Sequence, residues 1–531
     1  MREVERSADA AGLTYDQMMQ HAGKAVAQVV LLRAAPIRGK QVLVLAGSGN
    51  NGGDGLVAAD LLAGEGAQVA VYLTKDRGQD DPHLARLRER GVFIAVADQD
   101  QRSRVLKLQV GKADILLDAV LGTGFQLPLQ GAAQGTLRAA KQALEGRQPP
   151  PMVVAVDCPS GLDCNSGQAA DEAIPADLTV SLAAAKPGQF RPPGAALLGD
   201  LVVGDIGLAS EHPGLASVEL EVAEAATLRG WLPERPRAAH KGTFGRALIV
   251  AGSIQFPGAA ALAGKSAYLV GAGLVTLGVP ALIQPMIAGP LPEVTWIPLQ
   301  HADGALAAEA AVELRAEWTR TEAVLLGPGF GLSPATRDFL AEVLGARRGG
   351  RMGFLAADLH PAPSQIPLPP CVIDADGLKL LAQIEGWQEL LPRGSVLTPH
   401  PGEMSILSGE TVEAIQADRL ACATRWAEAW GQIVVLKGAY TVVAVGRAQA
   451  TVIPIASPAL ARAGTGDVLG GAVAGLLAQG LSPYRAAVLG AYLHGRAGIL
   501  ALGAVGNSAS VVAGDVAAAL PRAINELAGW L

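Results

Sequence analysis

The sequence has few cysteines, few aromatic residues and little charge. Four cysteines in 531 residues are too few for a disulfide framework, and Cys158 and Cys164 lack the spacing of zinc ligands. We therefore expect reduced, structural thiols. Aromatic residues make up 4% of the chain and charged residues 17%, so the core must be packed mainly with Ala, Val and Leu.

The sequence also lacks a basic block and an unbroken apolar stretch of membrane-spanning length. The net charge is −7, from 42 basic and 49 acidic residues, which argues against nucleic acid as the main partner. The longest apolar run, 267–283, is broken by three glycines and Pro280. Although the mean hydropathy is +0.30, we predict a strand, a turn and a buried helix there. The first six residues lack the apolar core of a signal peptide, and we expect a cytoplasmic protein that binds no membrane.

Length and patterning indicate two α/β domains. A chain of 531 residues is long enough for two or more domains that each bury a core. We predict a first domain over 1–210, a linker over 211–235 that contains Pro213 and Pro233, and a second domain over 236–531.

The first domain alternates short apolar runs with helical patterns. We predict a helix over 15–33, with Met18 and Met19 in a core contact, and a helix that begins at Leu56. The predicted strands are 41–46, 68–73, 114–120, 152–156, 178–182 and 201–204. This alternation is typical of a Rossmann-like doubly wound sheet, in which ligands bind beyond the carboxyl ends of the strands.

The second domain shows the same alternation with different motifs, so the two halves are not repeats. The predicted strands are 246–251, 323–326, 372–373, 395–397 and 433–436, and the predicted helices are 259–270 and 468–478. We therefore predict a second, separate α/β domain.

Two glycine-rich loops, each with an aspartate, lie far apart in the chain. The first is Gly47–Gly55 and the second is Gly464–Asp467. Glycine lets the backbone approach a ligand closely, so that peptide N–H groups can bind phosphate oxygens. Two such loops with different chemistry predict two active sites and two linked reactions.

The second loop opens a helix, whose N-terminus attracts anions. Asp467 at this position suits a base that accepts a proton from an attacking hydroxyl, or it is a plain helix N-cap. Lys437 ends a strand and can meet nucleotide phosphates. His400 and Glu403 follow another strand; Glu403 suits a water-bridged Mg²⁺, and a histidine such as His400, taken alone, is more often structural.

Polar residues follow three strands of the first domain. Asn50 and Asn51 precede paired glycines, which suits polar recognition with close backbone approach. Asp118 and Asp157 both end buried strands. Together with Asn51 and Ser160 they could supply oxygens around a monovalent cation; the alternative is that each aspartate caps the next helix.

The second domain resembles the NAD(P)H-hydrate dehydratase family of the ribokinase-like superfamily. The motifs that carry the resemblance are, in order, 240–242, 251–253, 258–260, 271–276, 327–329, 374–376, 398–403, 437–438 and 464–467. The first domain resembles the NAD(P)H-hydrate epimerase that is the usual fusion partner of this family. The combined resemblance covers nearly the whole chain.

The resemblance implies that the second domain uses ADP or ATP to phosphorylate the ring hydroxyl of a hydrated nicotinamide cofactor, after which phosphate leaves. It makes Asp467 the base. The residues that it assigns to the hydrate are Ala260, Gly329, His400 and Asp467. Those assigned to the nucleotide and the transferred phosphoryl group are Lys437, Gly438, Ala439, Tyr440, Thr441, Gly464, Thr465 and Gly466. Glu403 is a weaker candidate for Mg²⁺.

The resemblance also implies that the first domain interconverts the R and S hydrates, with Asp157 as acid or base. Its potassium ligands would be Asn51, Asp118 and Ser160. The residues assigned to the hydrate are Asn50, Asn51, Gly52, Gly53, Asp54, Gly122, Thr123, Gly124, Phe125, Gln126, Leu127, Pro128 and Asp157. The dehydratase accepts one epimer, so an epimerase in the same chain would recycle the other.

Two other functions fit parts of the sequence: a ribokinase-like kinase of a vitamin precursor, and a non-catalytic binding protein. The attached epimerase-like half argues against the first, and intact Asp118 and Asp157 argue against the second. The sequence departs from the family at Ile406, at 461–463 and at Gly470. The sequence does not distinguish ADP from ATP as the phosphoryl donor, although the fused architecture favours ADP. It also does not show a preference for NADHX or NADPHX. We expect a homo-oligomer.

Overall fold

The computed structural model describes residues 2–78, 80–208, 212–216, 218, 220–346, 367–446 and 449–529. It contains two compact units, Met1–Val218 and Glu219–Leu531. The division falls inside the predicted linker 211–235, whose first boundary, at 210 and 211, lies outside the described residues. Strand Leu220–Val222 pairs within the sheet of the second unit, so part of the expected linker is regular structure.

The described residues of the first unit form one sheet of seven parallel strands. These are β1 Gln41–Ala46, β2 Gln68–Leu73, β3 Phe93–Val96, β4 Ile115–Ala119, β5 Met152–Val156, β6 Leu178–Leu182 and β7 Asp200–Gly204. Their order is β3-β2-β1-β4-β5-β6-β7, and each neighbouring pair is parallel. The order reverses between β1 and β4, where the following loops diverge and open a crevice. The predicted doubly wound sheet is confirmed.

Helices cover both faces of this sheet. They are α1 Arg2–Ala10, α2 Tyr15–Arg33, α3 Asn50–Gly64, α4 Pro82–Glu89, α5 Arg104–Lys112, α6 Gly131–Leu144 and α7 Pro213–Ala216. One apolar core lies between the sheet and α2, α3 and α4, and a second lies between the sheet and α5 and α6. The helix predicted over 15–33 is confirmed; Thr14 caps it and Gln17 returns the bond in a capping box.

The second unit has a larger mixed sheet. Its strands are β8 Leu220–Val222, β9 Arg246–Val250, β10 Leu274–Pro280, β11 Thr295–Leu299, β14 Ala323–Leu326, β15 Cys371–Ile373, β16 Val396–Leu397, β17 Ile433–Leu436, β18 Val442–Gly446 and β19 Gln449–Val452, with β12 His301–Ala302 and β13 Ala305–Leu306 as a separate pair. The order is β11-β10-β9-β14-β15-β16-β17-β18-β19-β8. The strands from β11 to β17 are parallel, and β18 pairs antiparallel with both of its neighbours.

The helices of the second unit are α8 Ala225–Arg229, α9 Pro257–Leu269, α10 Gln284–Ile287, α11 Ala310–Arg315, α12 Pro334–Val343, α13 Asp376–Leu381, α14 Trp387–Leu390, α15 Pro401–Ser408, α16 Val412–Ala417, α17 Arg419–Trp430, α18 Thr465–Ala478, α19 Pro483–Val505 and α20 Ala513–Ala528. Helices α9, α18, α19 and α20 enclose the main core of this unit. Helix α19 is long and apolar enough to span a membrane by length and composition, but half of its most apolar window is buried inside the fold. It packs against α18 and α20, as a core helix does.

Several details differ from the sequence predictions, among them strands β8, β10, β11, β18 and β19 of the second unit, which were not predicted. Helix α3 begins at Asn50 rather than at Leu56, so most of the first glycine-rich segment is helical. In the apolar run 267–283 the helix predicted over 259–270 ends first, and a turn and strand β10 follow it, so the strand comes after the helix and not before it. Strand β3 is a short strand at the edge of the sheet that the patterning did not reveal. All four cysteines are free and buried, as predicted.

Candidate active sites

A cavity of about 640 Å³ opens at the carboxyl ends of β1, β4 and β5 in the first unit. Eight of the residues predicted to bind a ligand line it: Asn50, Asn51, Asp54, Gly122, Thr123, Gly124, Phe125 and Asp157. The loops after three different strands therefore meet in one crevice, because parallel strands present their carboxyl ends on the same edge of a sheet. Met18 and Met19, predicted as core residues, also reach the cavity wall.

Five other predicted residues are not among those that line the cavity: Gly52, Gly53, Gln126, Leu127 and Pro128. The two glycines serve packing in the first turns of α3. A Cβ atom at Gly52 would overlap the carbonyl oxygen of Gly47, and one at Gly53 would lie 2.5 Å from the sulfur of Met19. Glycine is required there because neighbouring backbone and side chain lie where a Cβ would be.

Asp157 lies on the cavity wall in an unusual backbone conformation. Its φ of +68° lies in the left-handed region that non-glycine residues seldom adopt. Its Oδ1 accepts hydrogen bonds from Lys186 Nζ and from the backbone N–H of Leu182, the latter at 3.1 Å. The side chains of Asp157 and Lys186 are 13% and 8% exposed, so they form a nearly buried ion pair at the cavity.

The sequence analysis did not identify Lys186 or Gln189, which both hold Asp157. Gln189 Nε2 donates to the backbone carbonyl of Asp157 at 3.0 Å, and Gln189 Oε1 accepts from the backbone N–H of Lys186 at 2.8 Å. Both residues lie in the loop after β6, whose carboxyl end faces the same crevice. The sequence feature that could have identified Lys186 is its position shortly after the predicted buried strand 178–182.

Asp118 and Ser160 form a buried hydrogen-bonded pair behind the cavity. Ser160 Oγ donates to Asp118 Oδ1 at 2.5 Å, and its backbone N–H donates to Oδ2 at 2.8 Å. Ser160 Oγ also accepts from the N–H of Leu121 at 2.8 Å. Burial raises the pKa of Asp118 above its ordinary value, and these hydrogen bonds only partly oppose that. The pair fixes the loop that leads to Gly122.

Asn51 has a buried side-chain amide whose oxygen and nitrogen both lack a hydrogen-bond partner. Buried polar atoms are rarely left unpaired, and such an atom indicates a position where a ligand, water or ion binds. A cation held by Asn51, Asp118 and Ser160 would be bound by oxygen atoms alone, which suits a hard cation. A Cβ at Gly122 would lie 3.4 Å from both Asn51 Cγ and Asp157 Oδ2, so Asn51 and Asp157 face each other across Gly122.

Asp54 adds a second carboxyl group to the cavity. Burial and then the nearby charge of Asp157 raise the pKa of Asp54 well above its ordinary value. The cavity thus contains one carboxyl group paired with lysine and one that burial favours in the neutral form.

In the second unit, hydrogen bonds join the loops after five parallel strands. They run from Gly252 N–H to Pro328 O at 2.7 Å, Gly331 N–H to Asp376 Oδ2 at 2.9 Å, Thr398 Oγ1 to Asp374 Oδ1 at 2.7 Å, and Lys437 N–H to Pro399 O at 2.9 Å. Each predicted motif at a strand end therefore belongs to one connected surface at the carboxyl edge of the sheet.

A buried ion pair occupies the middle of this surface. Lys437 Nζ lies 2.8 Å from Asp374 Oδ1 and 3.6 Å from Glu403 Oε2. The other oxygen, Asp374 Oδ2, is buried without a hydrogen-bond partner. It lies 3.1 Å from where a Cβ would be at Gly470, so it faces the first turns of α18. The sequence analysis noted the motif 374–376 but gave Asp374 no role.

Asp467 lies in the first turn of α18, close to this pair. Burial, followed by the negative charge of Asp374, raises the pKa of Asp467 from 3.8 to about 7, while Lys437 opposes the shift. A carboxylate with a pKa near neutrality is well matched to accept a proton at physiological pH. Gly464 has a φ of +88°, which the turn into α18 requires, and the first amides of the helix have no acceptor within it.

His400 and Glu403 begin helix α15. His400 Nδ1 accepts from the N–H groups of Gly402 and Glu403 at 3.0 and 3.2 Å, and Glu403 Oε2 accepts from the N–H of His400 at 2.9 Å. Burial lowers the pKa of His400. Glu403 is only 3% exposed. Its carboxylate is thus occupied by a capping box and by Lys437, whereas Asp374 Oδ2 is free to bind a cation.

The predicted nucleotide segment 437–441 forms a turn between β17 and β18. Arg419 supports it from α17 by donating to the carbonyls of Ala439 and Leu436 at 2.7 and 2.8 Å. Gly438 and Ala439 are exposed and Tyr440 is buried. Lys437 Nζ lies 3.4 Å from where a Cβ would be at Gly466, which places this turn beside the N-terminus of α18.

Two other predicted residues, Ala260 and Gly329, lie in helix α9 and in the loop after β14. Ala260 is completely buried, and a Cβ at Gly252 would lie 3.3 Å from its methyl group. Gly329 has a φ of +64°, and a Cβ there would lie 2.8 Å from Ala259 Cβ.

The sequence analysis missed a histidine, His494, which lies beside Thr465 at the start of α18. Its Nε2 is buried without a hydrogen-bond partner, and burial lowers its pKa to about 4.

Among the residues that the structure describes, no group of three or more His, Cys, Asp or Glu side chains is arranged to hold a metal ion. A cation at either site would therefore need oxygens from other groups as well, such as amide, hydroxyl or substrate phosphate oxygens.

Two protein families match the chain, one for each unit. The model of the family described as NAD(P)H-hydrate dehydratase matches residues 247–522. The family described as YjeF-related protein N-terminus matches residues 15–188. The matched segments contain the glycine-rich loops and all of the predicted site residues.

Relatives match over nearly their whole length. The bifunctional NAD(P)H-hydrate repair enzyme Nnr of Moorella thermoacetica is 36% identical over 520 residues, which are 96% of this chain and 92% of the relative. The enzyme of the same name from Salinibacter ruber is 36% identical over 540 residues, 98% of this chain and 93% of the relative. A crystal structure of the ADP/ATP-dependent NAD(P)H-hydrate dehydratase of Bacillus subtilis, co-crystallised with ATP/Mg²⁺, is 29% identical with a TM-score of 0.47, and covers 58% of this chain and 98% of that chain.

Proposed function

This chain belongs to the family of bifunctional NAD(P)H-hydrate repair enzymes, and we propose that its two sites catalyse successive steps of cofactor repair. The first unit is the epimerase, which interconverts R and S NAD(P)HX. The second unit, with a ribokinase-like fold, is the dehydratase, which returns S-NAD(P)HX to NAD(P)H. The observation that carries this assignment is the match to relatives of the same two-part architecture over 96% of the chain.

In the dehydratase we propose that Asp467 accepts the proton of the C6 hydroxyl as that oxygen attacks the terminal phosphorus of ADP or ATP. The phosphoryl group moves to the hydroxyl and AMP or ADP leaves. The C6–O bond then breaks, and phosphate departs with the bonding electrons while the ring nitrogen lone pair forms a C6–N double bond. Loss of the proton at C5 to the departing phosphate or to water then forms the C5–C6 double bond, returns the electron pair to nitrogen and restores NAD(P)H. The pKa of about 7 for Asp467 supports the role of base, since a large fraction is ionised at neutral pH.

Other residues of the second unit would hold the two substrates. We propose that Gly464, Thr465 and Gly466 stabilise the phosphoryl group, because the N-terminus of a helix favours negative charge. The turn 437–441 would hold the nucleotide. The side chain of Lys437, the first residue of this turn, extends towards Gly466 in the first turn of α18. Ala260, Gly329 and His400 line the hydrate side.

Mg²⁺ would be bound at this site by Asp374 Oδ2, which is buried and unpartnered, rather than by Glu403, whose Oε2 already accepts from the N–H of His400 and lies 3.6 Å from Lys437 Nζ. When bound there, Mg²⁺ would supply positive charge that offsets the negative charge of the nucleotide phosphates. A free carboxylate oxygen beside the N-terminus of α18 would otherwise repel a phosphoryl group, so a cation between them is favoured.

In the epimerase we propose that Asp157 transfers the proton in the interconversion of R and S hydrates inside the 640 Å³ cavity. Asn51, Asp118 and Ser160 would hold K⁺, which supplies a fixed positive charge near the hydrate. The orphaned amide of Asn51 supports this ligand set. We further propose ADP as the donor, action on both NADHX and NADPHX, a homo-oligomer, and a cytoplasmic location.

The test is recovery of NADPH from an equilibrated mixture of R and S NADPHX with Mg²⁺, K⁺ and either ADP or ATP. Complete recovery, faster than spontaneous epimerisation allows, is expected with the intact protein. Asp157→Ala should recover only the S portion, and Asp467→Asn should recover almost none. Recovery of the S portion alone by the intact protein would reject the epimerase, and a stable phosphorylated product would instead indicate a kinase.

A further inference from the structure

We propose that Lys186 is the positioning residue of the epimerase site: it fixes Asp157 so that one defined carboxylate oxygen, Oδ2, faces the reacting hydrate. This inference rests on the epimerase function proposed above. It adds to that function a residue outside the predicted ligand sets, and it assigns different roles to the two oxygens of Asp157.

The ammonium group of Lys186 has no proton left for a substrate. Its Nζ donates to Asp157 Oδ1, to Ser181 Oγ at 3.1 Å and to the carbonyl of Leu182 at 3.0 Å. An ammonium has three N–H bonds and no lone pair, so these three acceptors use its whole capacity. Lys186 is also buried. It therefore acts on the reaction through Asp157 and does not itself transfer the proton.

The same contacts distinguish the two oxygens of Asp157. Oδ1 accepts from Lys186 and from the N–H of Leu182. Oδ2 points along the cavity wall, 3.4 Å from where a Cβ would be at Gly122, and both residues line the cavity. Oδ2 is thus the oxygen that can accept a proton from the hydrate, or from a water beside it, and return it.

The loop that carries Lys186 is built to keep this arrangement. Gln189 is completely buried and joins the N–H of Lys186 to the backbone carbonyl of Asp157. The φ of +68° at Asp157 is a costly conformation that persists only where surrounding contacts enforce it. Lys186 holds the side chain and Gln189 the main chain, so proton transfer occurs from a fixed geometry.

The experiment compares Lys186→Ala with Lys107→Ala, which removes an exposed lysine of α5 and should leave both activities unchanged. For R-NADPHX we expect Lys186→Ala to lower kcat about 100-fold, the range that a positioned proton-transfer group contributes, with little change in KM. Dehydration of S-NADPHX by the same chain should be unaffected. Methylammonium should restore epimerase activity of Lys186→Ala by filling the vacated site, whereas the larger tetramethylammonium should not.

A second comparison uses Asp157→Asn with and without Lys186→Ala. If Lys186 acts only through Asp157, removing it from the Asp157→Asn variant should cost nothing further, because residues that act as a unit are not additive. This pair also serves if Lys186→Ala alone fails to fold, since the double variant carries no unpaired buried carboxylate.

Two outcomes would overturn the proposal: an Lys186→Ala variant with wild-type kcat for the R epimer, or equal losses from Lys186→Ala in both backgrounds. A wild-type chain that does not convert the R epimer would instead reject the epimerase function itself, so the two failures are distinguishable.

Discussion

Asp374 and Lys437 form an ion pair, 2.8 Å from Oδ1 to Nζ, that joins the ends of β15 and β17 across the intervening strand β16. Their side chains are 1% and 17% exposed. Burial alone would lower the pKa of Lys437, but the charges of Asp374 and Glu403 outweigh it and the pKa is raised. The lysine therefore stays charged at physiological pH and connects the carboxylates Asp374 and Glu403 with the turn 437–441, which we propose to hold the nucleotide.

Removal of the lysine should be more damaging than removal of the pair. Lys437→Met leaves Asp374 buried without its cation, and breaking a buried ion pair costs about 3–5 kcal/mol. The double variant Lys437→Met/Asp374→Leu carries no unpaired charge and should lose less. Calorimetric unfolding of the three proteins checks this. Equal destabilisation of the single and double variants would show that the pair is not the source of the loss.

Asp374→Asn should weaken the binding of Mg²⁺ with nucleotide more than the binding of nucleotide alone. The substitution keeps the shape of the side chain but removes the charge of Oδ2, the unpartnered oxygen. Titration calorimetry with ADP, with and without Mg²⁺, measures the difference. Thr398→Val is the matched control, because Thr398 contacts only Oδ1 of this carboxylate, at 2.7 Å. An unchanged Mg²⁺ effect in Asp374→Asn would contradict Asp374 as the ligand.

The pH dependence of dehydration should report Asp467. With a pKa of about 7, the base form is the minor form below neutrality, so kcat/KM for S-NADPHX should rise about tenfold per pH unit up to about pH 7 and level off above it. The pKa of Asp467 in the folded protein lies above the ordinary value of 3.8, so the folded state holds this proton more tightly than the unfolded state does. The contribution of Asp467 to the free energy of unfolding should therefore decrease as the pH rises from about 4 to 7. Asp467→Asn should remove both effects. A rate profile that is flat from pH 5 to 8 would reject Asp467 as the base.

The sequence predicts well those features that depend on local pattern. Buried strands such as β1 and β5 are continuous apolar runs, and the residues that follow them reach the crevice because parallel strands end on one edge. Helix α3 was predicted too short, because the segment from Asn50 to Gly55 has poor helix propensity. Its glycines are instead required by close packing on Met19 and Gly47.

The contacts that complete each site depend on residues far apart in the chain. Lys186 and Asp157 are separated by 29 positions, and Lys437 and Asp374 by 63. No periodicity connects such residues, and only the sheet order brings them together. Asp374 is an example. Its motif is visible in the sequence, but only the structure shows that Thr398 and Lys437 donate to Oδ1 and that Oδ2 has no hydrogen-bond partner.

If Asn51, Asp118 and Ser160 bind K⁺, potassium should stabilise the first unit. A ligand that binds only the folded state raises its stability by about 2.7 kcal/mol at a hundredfold excess over the dissociation constant. Thermal unfolding in KCl should therefore shift upward relative to choline chloride at the same ionic strength. Asn51→Leu should abolish the shift, because it removes the amide oxygen without adding charge. A shift of equal size in that variant would place the ion elsewhere.

Helices α9 and α18 approach each other so closely that Gly471 cannot be replaced. A Cβ there would overlap the carbonyl oxygen of Ala263 and lie 2.7 Å from its Cα. Because both are backbone atoms, a Cβ can be accommodated only if the two helices move apart, and overpacking of this kind costs about 1–3 kcal/mol or more.

Gly503→Ala is the matched control. Gly503 lies in α19 with no atom within 4 Å of a Cβ, and this substitution should stabilise the protein by about 0.5–1 kcal/mol. Since α18 carries Asp467 in its first turn, Gly471→Ala should also lower kcat for dehydration while epimerisation is retained. A Gly471→Ala protein as stable and active as Gly503→Ala would show that this helix contact does not position the catalytic turn.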